Sequence, residues 1–363
     1  MPSTTITRIT QEWECIPAGV YLDLPAEQYH ADPSLSVSGI KALVASPLTY
    51  WNQHLNPERD VEESNTPAKV LGKAIHKLVL EGDDAFSSAY LVEPKPEDYP
   101  GCLQGVEALR EKCGQLGLKK SGTLEEMSLR ILDVEPNCLL WPMIKASFMD
   151  EVATGDRETL SKEFYLQCLE AQEAIRSNDA AKAAFTGGLP EVSVFWRTED
   201  GVPMKSRFDY LKPQAIIDLK TFSNQNGAPI DMAVVHAVTR YLYHVQAYVY
   251  VQAAKAAKEL IRSGCVYGEG SRALQQFAQV QEDPRFFFVF LETGTAMNVL
   301  VRELAQSRGD VLSLIWEAGG LIARRAIDVW KAHMQQFGPH QPWRINQPAR
   351  PFMDEEFPTW AVE

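Results

Sequence analysis

Apolar positions recur along this chain with two different periods. In the middle, EVSVFWRT, MKSRFDYL and QAIIDLKTF carry short apolar or alternating runs, and RFFFVFLET (285–293) is a further run with the look of a buried strand. On either side the spacing is helical. SLSVSGIKALVASP offers serines that can cap a helix, an amphipathic IKALV core and a Pro47 stop, after a strand or extended segment in the first part of 21–55. NTPAKVLGKAIHKLVLEG (65–82) predicts a helix that begins near Pro67 and ends at Gly82. TLSKEFYLQCLEAQEAIRSNDAAKAAF (159–185) reads as strongly helical up to Gly187 and Gly188, and a long helix is predicted from about 231 to 262. YLVEPKPEDYPG, rich in proline and polar residues, reads as a loop and a boundary. The succession of helices, β-meander, helix, strand and helices predicts an α/β fold with a central mixed sheet flanked by helices. Three parts are expected: 1–100, a small helical insertion at 101–136, and 137–363.

Composition narrows this only a little. The chain has 363 residues, 45% hydrophobic and 23% charged, enough for one large domain with an insertion or for two domains. MPSTTITRITQEWE lacks the basic-then-apolar layout of a signal peptide, and no apolar run approaches the ~20 residues of a membrane span. Cys15, Cys102, Cys113, Cys138, Cys168 and Cys265 are scattered without a CxxC pair. That argues against a zinc or iron–sulfur site and fits reduced thiols in a cytoplasmic protein. The net charge of −13 disfavours a protein that coats nucleic acid through bulk charge, although local basic clusters such as Lys205–Arg207 leave local binding open.

The chemistry concentrates in FDYLKPQAIIDLKTF (208–222). Asp209 ends one strand-like run and Asp218 the next. Pairing of the two as a hairpin brings both carboxylates to one end of the sheet, where they can share a hard cation such as Mg²⁺. Lys220 lies two positions beyond Asp218, on the same face of a strand. An amine there can orient an attacking water or stabilise charge that develops on phosphorus. A D-x-K triplet alone is more often an ordinary surface ion pair. His76, one helical turn after Gly72, is of a kind more often packing or solvated. Gln246 and Tyr250, four apart on one helical face, are equally a mixed-polarity core face.

In order, G-x-x-x-H, E, D, D-x-K and Q-x-x-x-Y resemble the PD-(D/E)xK nuclease superfamily in its RecB/RecE branch, most closely the phage and prophage RecE-type double-strand DNA exonucleases. YHADPSLSVSGIKALVASPLTYW and PEVSVFWRTEDGVPMKSRFDYLKPQAIIDLKTF extend the likeness over most of 20–260, apart from 101–136. The resemblance implies that His76, Asp209, Asp218 and the Leu219 carbonyl bind Mg²⁺, with Mn²⁺ able to substitute. It implies that Lys220 is the catalytic lysine and that Glu191 binds metal or a metal-bound water. Gln246 and Tyr250 are then expected to position the DNA backbone or brace the lysine. It also implies 5′ to 3′ digestion of one strand from a duplex end, a 3′ overhang for recombination, a single-strand annealing partner and a ring-shaped homo-oligomer. Phe208 stands where the superfamily name places proline, and the clustered cysteines of the iron–sulfur relatives are missing. An endonuclease on the same core, or a catalytically inactive DNA-binding protein, is the alternative.

GVEALREKCGQLGLKKSGTLEEMSLRIL (105–132) predicts two short helices, with Leu109, Cys113 and Leu116 lining one face of the first and Leu124, Met127 and Ile131 part of the second. Thr123 and Glu126 form a capping box, and the turn before it gathers two lysines beside a helix N-terminus, which suits a phosphate. The stretch resembles a SAP motif, which implies backbone contacts from Lys119, Lys120, Ser121 and Gly122. A purely structural insertion is the alternative.

Overall fold

A computed structural model describes residues 15–59, 66–225, 227–269, 272–294, 296–345 and 350–357. The N-terminal segment weighed above as a leader, 1–14, lies outside the described residues. Among the described residues the strands are β1 (Gly19–Tyr21), β2 (Tyr90–Val92), β3 (Glu158–Leu160), β4 (Leu189–Arg197), β5 (Pro203–Lys212), β6 (Ala215–Phe222), β7 (Val266–Tyr267), β8 (Arg285–Glu292) and β9 (Val299–Glu303). Seven of them form a mixed sheet in the order β7-β1-β4-β5-β6-β8-β9, and β2 pairs with β3 apart from it. β4, β5 and β6 are an antiparallel meander, whereas β6 and β8 run parallel, because helices intervene between them.

The helices that matter for the site are α1 (Val37–Ala45), α2 (Pro67–His76), α3 (Gly105–Gln115), α4 (Leu124–Val134), α5 (Lys162–Ser177), α6 (Ile230–Arg240), α7 (Tyr243–Arg262) and α8 (Leu314–Phe337). Ser36 caps α1 by accepting from Gly39 N at 3.2 Å. Pro47 does end α1, yet it opens a new short helix capped by Ser46, since proline fits the first helical position. α2 is capped by Thr66, starts on Pro67 and passes directly after His76 into a π-helical turn, Lys77–Glu81, closed by Gly82 at φ 88°.

Two stretches depart from the periodicity. The expected long helix breaks between α6 and α7, where Leu242 takes the left-handed conformation at φ 52°. The expected helix over 159–185 begins as β3 and restarts at Asp179, because Asn178 leaves the helical region and caps the next turn by accepting from Ala181 N. YLVEPKPEDYPG is likewise partly regular, holding β2 and a single 3-10 turn.

The sheet carries a core on each face. On one side Phe208, Ile216, Phe286, Phe288 and Phe290 pack against α1, α7 and α8. On the other Tyr210, Ile217, Leu219, Val289 and Leu291 pack against α2 and α5. α8 crosses α7 closely: a Cβ on Gly319 would stand 2.6 Å from the His244 carbonyl oxygen. The insertion has a core of its own, made of Leu109, Cys113, Met127, Ile131 and Leu140. Leu124, expected on that apolar face, is instead exposed at the start of α4. The capping box forms as expected, with Thr123 Oγ1 accepting from Glu126 N and Glu126 Oε2 from Thr123 N.

Candidate active site

The antiparallel meander sets three carboxylates in one row and then opens. The β5–β6 ladder pairs Lys212 with Ala215, Leu211 with Ile216 and Tyr210 with Ile217. The next rung of that register joins Asp209 and Asp218, and there the backbone pairing stops. Leu219 N donates instead to the Asp209 side chain, at 2.8 Å to Oδ2. The β4–β5 ladder skips the rung that joins Glu191 and Asp209, and Glu191 sits at φ 54°. A left-handed glutamate costs on the order of 1–3 kcal/mol, so the surroundings must impose it. The period-2 alternation slips there as well: Phe208 packs on the α7 side of the sheet and Tyr210, two residues on, on the α2 side.

Side chains reach this opening from both faces. From α2, His76 Nδ1 lies 3.7 Å from Asp209 Oδ2. Gly72, one turn earlier, allows that approach, because a Cβ there would already be 3.2 Å from Thr221 Oγ1 on β6. From α7, Gln246 Nε2 donates to Asp218 Oδ1 at 2.6 Å, and Tyr250 stands one turn beyond with its ring edge-on to Phe208. Gln246 therefore braces Asp218, where bracing of the lysine was one expectation. Lys220 Nζ is in ion-pair contact with Asp218 Oδ2 and lies 5.1 Å from the Tyr243 ring centroid. Arg207 Nε donates to Glu191 Oε2 at 2.5 Å.

The charges are strongly perturbed, as crowded buried acids must be. Burial first, and the Asp218 charge second, push the Asp209 carboxyl up to about 7, against the pull of Lys220. Glu191 is raised by burial and by Asp209, with Arg207 opposing. Burial lowers Lys220, but the Asp218 and Asp209 carboxylates outweigh it and hold the ammonium above its ordinary range. His76 is pushed down by burial and by the Lys220 charge, so its imidazole is neutral near pH 7 and available as a ligand or hydrogen-bond partner.

Does this donor set fit a divalent cation? Asp218 Oδ2 is buried and accepts no hydrogen bond of normal geometry, although the Lys220 ammonium lies against it. A buried carboxylate oxygen left without a hydrogen bond is costly unless a cation answers it. The carboxylate and carbonyl oxygens of the set suit Mg²⁺ or Mn²⁺. Among the described residues no three His, Cys, Asp or Glu side chains are already drawn together closely enough to close on an ion. The reason is visible: Lys220 and Gln246 hold Asp218, while the Leu219 amide holds Asp209. Chemically the set fits such an ion.

All the residues expected at the centre, His76, Glu191, Asp209, Asp218, Leu219, Lys220, Gln246 and Tyr250, thus converge on one opening in the sheet. Lys119, Lys120, Ser121 and Gly122 lie apart, exposed on the turn between α3 and α4. Arg130 fastens that turn by donating to the Ser121 carbonyl at 2.8 Å and to that of Lys119. Sequence reasoning missed Lys41, Arg207 and Tyr243. Tyr243 was findable, since Tyr243, Gln246 and Tyr250 form one i, i+3, i+7 stripe. Arg207 stands two before Asp209, whereas nothing in the spacing marks Lys41. Lys41 Nζ lies 5.1 Å from the Tyr243 ring centroid, and its pKa is lowered to about 8, by burial first and the Lys220 charge second.

Residues 36–263 match the PDDEXK-like domain of unknown function DUF3799. The chain belongs to this family. The match begins at the cap of α1 and ends just beyond α7, so it contains every residue of the opening. The seven-stranded mixed sheet flanked by helices is an α/β core of the PD-(D/E)xK kind. No curated protein sequence matches the chain significantly. Among solved structures, the crystal structure of a "Putative exonuclease" from Eubacterium rectale is similar, with 14% identity, a TM-score of 0.47, and coverage of 92% of this chain and 97% of that one. At that score the likeness transfers no residue roles. Among the described residues no helix is long and apolar enough to cross a membrane.

Proposed function

We propose that this protein is a Mg²⁺-dependent exodeoxyribonuclease that degrades one strand of linear duplex DNA, 5′ to 3′, and leaves a 3′ single-stranded overhang. The observation that carries the reading is the row Glu191–Asp209–Asp218 at an interrupted ladder, with Lys220 on the same strand. His76, Asp209, Asp218 and the Leu219 carbonyl would hold the ion. When bound, it supplies a water of lowered pKa and a Lewis acid for the phosphate. The chain's own groups do the rest. Lys220 keeps its proton at Nζ and offers it to charge developing on the phosphate oxygens. Gln246, backed by Tyr250, keeps Asp218 in place, and Arg207 does the same for Glu191. Polarity, the overhang, an annealing partner and a ring-shaped homo-oligomer rest on the RecE-type likeness, and a cytoplasmic site of action on the scattered, unpaired cysteines.

The test is a time course on end-labelled linear duplex and on covalently closed circular DNA, with Mg²⁺, Mn²⁺ or EDTA. Stepwise shortening of the linear duplex, dependent on the ion, is expected, with closed circles left intact. Cutting of closed circles would turn the reading to an endonuclease, and no ion-dependent degradation of either would turn it to a DNA-binding protein.

The α3–α4 turn is proposed as a second DNA contact, through Lys119 and Lys120, the Ser121 and Gly122 backbone, and the free amides at the start of α4. Changing Lys119 and Lys120 together to glutamate should weaken duplex binding and flatten its dependence on salt, since fewer counterions are released. A binding isotherm series between low and moderate salt checks this, and an unchanged slope assigns the turn a structural role only.

A further inference from the structure

We infer that Lys41 forms a second phosphate subsite, holding a backbone phosphate of the substrate strand next to the one that Lys220 addresses. The inference rests on the nuclease reading and adds to it a substrate that must present at least two neighbouring phosphates. Lys41 and Lys220 come from unrelated parts of the fold, α1 and β6, yet both ammonium groups stand 5.1 Å from the centroid of the same Tyr243 ring. Lys220 has its carboxylate partner in Asp218. Among the described residues Lys41 has no ion pair; its one acidic influence is Asp218, already engaged by Lys220 and Gln246.

A cation–π contact alone explains this poorly. Lys41 is half-buried, desolvated and repelled by Lys220, so its charge is a cost to the free protein that one aromatic ring does not offset. Its position is nevertheless firmly imposed. Val37, Ile40 and Leu43 are buried on α1, and Gly39 abuts Leu35 and Tyr50 so closely that a Cβ there would come within 3.0 Å of both. A lysine held unpaired beside a catalytic lysine is a ready anion site, and DNA carries a neighbouring anion to fill it: the next phosphate along the strand. A lysine suits that task, because it recognises a phosphate as a point charge without fixing the base sequence.

The test uses the full-length protein and a short duplex in which one phosphate flanking the reactive linkage is replaced by a neutral methylphosphonate, on either side in turn. Binding is measured in Ca²⁺ by fluorescence anisotropy, and hydrolysis in Mg²⁺ on the same duplexes. Lys41→Ala should weaken binding of the unmodified duplex about tenfold and raise KM more than it lowers kcat, whereas Lys41→Arg should stay near wild type. One of the two methylphosphonate positions should weaken wild-type binding by a similar factor and add nothing in Lys41→Ala. Equal methylphosphonate penalties in wild type and Lys41→Ala would overturn the subsite, as would unchanged binding. Should Lys41→Ala unfold, Lys41→Met keeps the stem packed on Tyr243 and serves the same comparison. Loss of hydrolysis in the wild type itself would count against the nuclease reading alone, because the binding comparison still reports on Lys41.

Discussion

Lys220→Ala is expected to lower the rate of DNA hydrolysis by about a hundred- to ten-thousand-fold, the range for removing a positioned proton donor or charge stabiliser. Its effect on stability separates this residue from an ordinary ion-pair partner. In the metal-free protein the Lys220 ammonium is the main counter-charge to Asp218, which is fully buried, and it also attenuates Asp209. Removing one partner of a buried pair costs about 3–5 kcal/mol. The variant should therefore melt well below wild type in EDTA. A divalent cation can replace the missing charge, so the gain in Tm on adding Mg²⁺ should be larger in Lys220→Ala than in wild type. Thermal denaturation with and without Mg²⁺, beside the end-labelled assay, reads both effects. Undiminished hydrolysis would remove Lys220 from the chemistry, and an equal or smaller Mg²⁺ gain would remove it from competition for the carboxylates.

Much of this centre was legible because strands have a period of two and helices one of 3.6. Those periods put Asp218 with Lys220 on one strand face, and Gln246 with Tyr250 on one helix face, before any coordinates are known. Hairpin pairing was expected to bring Asp209 and Asp218 to one sheet end, and the structure supplies the register through the Lys212–Ala215 turn. Three kinds of feature were not legible. One is backbone that breaks its own pattern: Glu191 at φ 54° and Leu242 at φ 52° are residues whose side chains give no warning of a left-handed conformation. A second is substitution of a backbone rung by a side chain, as when Asp209 takes the Leu219 amide. The third is convergence from far along the chain: Lys41 and Lys220 share the Tyr243 ring only because α1 packs against α7 and α8. No periodic signal links positions so remote, and only packing brings them together.

Asp209→Asn should change how stability depends on pH, in a direction fixed by the raised carboxyl. In the unfolded chain this group titrates near 3.8 and in the folded one near 7. Below about pH 4 it is protonated in both states and neither form is favoured. Between about 4 and 7 the unfolded chain sheds a proton that the folded one keeps, so stability falls as pH rises, by up to about 1.4 kcal/mol per pH unit. Above about 7 both are ionised, and the metal-free fold carries the full penalty of a charged Asp209 against Asp218, on the order of a few kcal/mol. Asparagine keeps the amide oxygen that can accept from Leu219 N and discards the charge. In EDTA its Tm should thus match wild type near pH 4, draw ahead through the window and stay ahead at pH 8. Adding Mg²⁺ at pH 8 should raise the wild-type Tm and leave the variant nearly unmoved, while hydrolysis is lost. Parallel profiles for the two proteins across pH 4–8 would mean that Asp209 is not held as a raised acid, and an equal Mg²⁺ response would mean that it is not a ligand. On the proposed reading proton and ion would compete for the Asp209 carboxylate, so the charge that destabilises the empty fold at neutral pH is one that a bound cation would relieve.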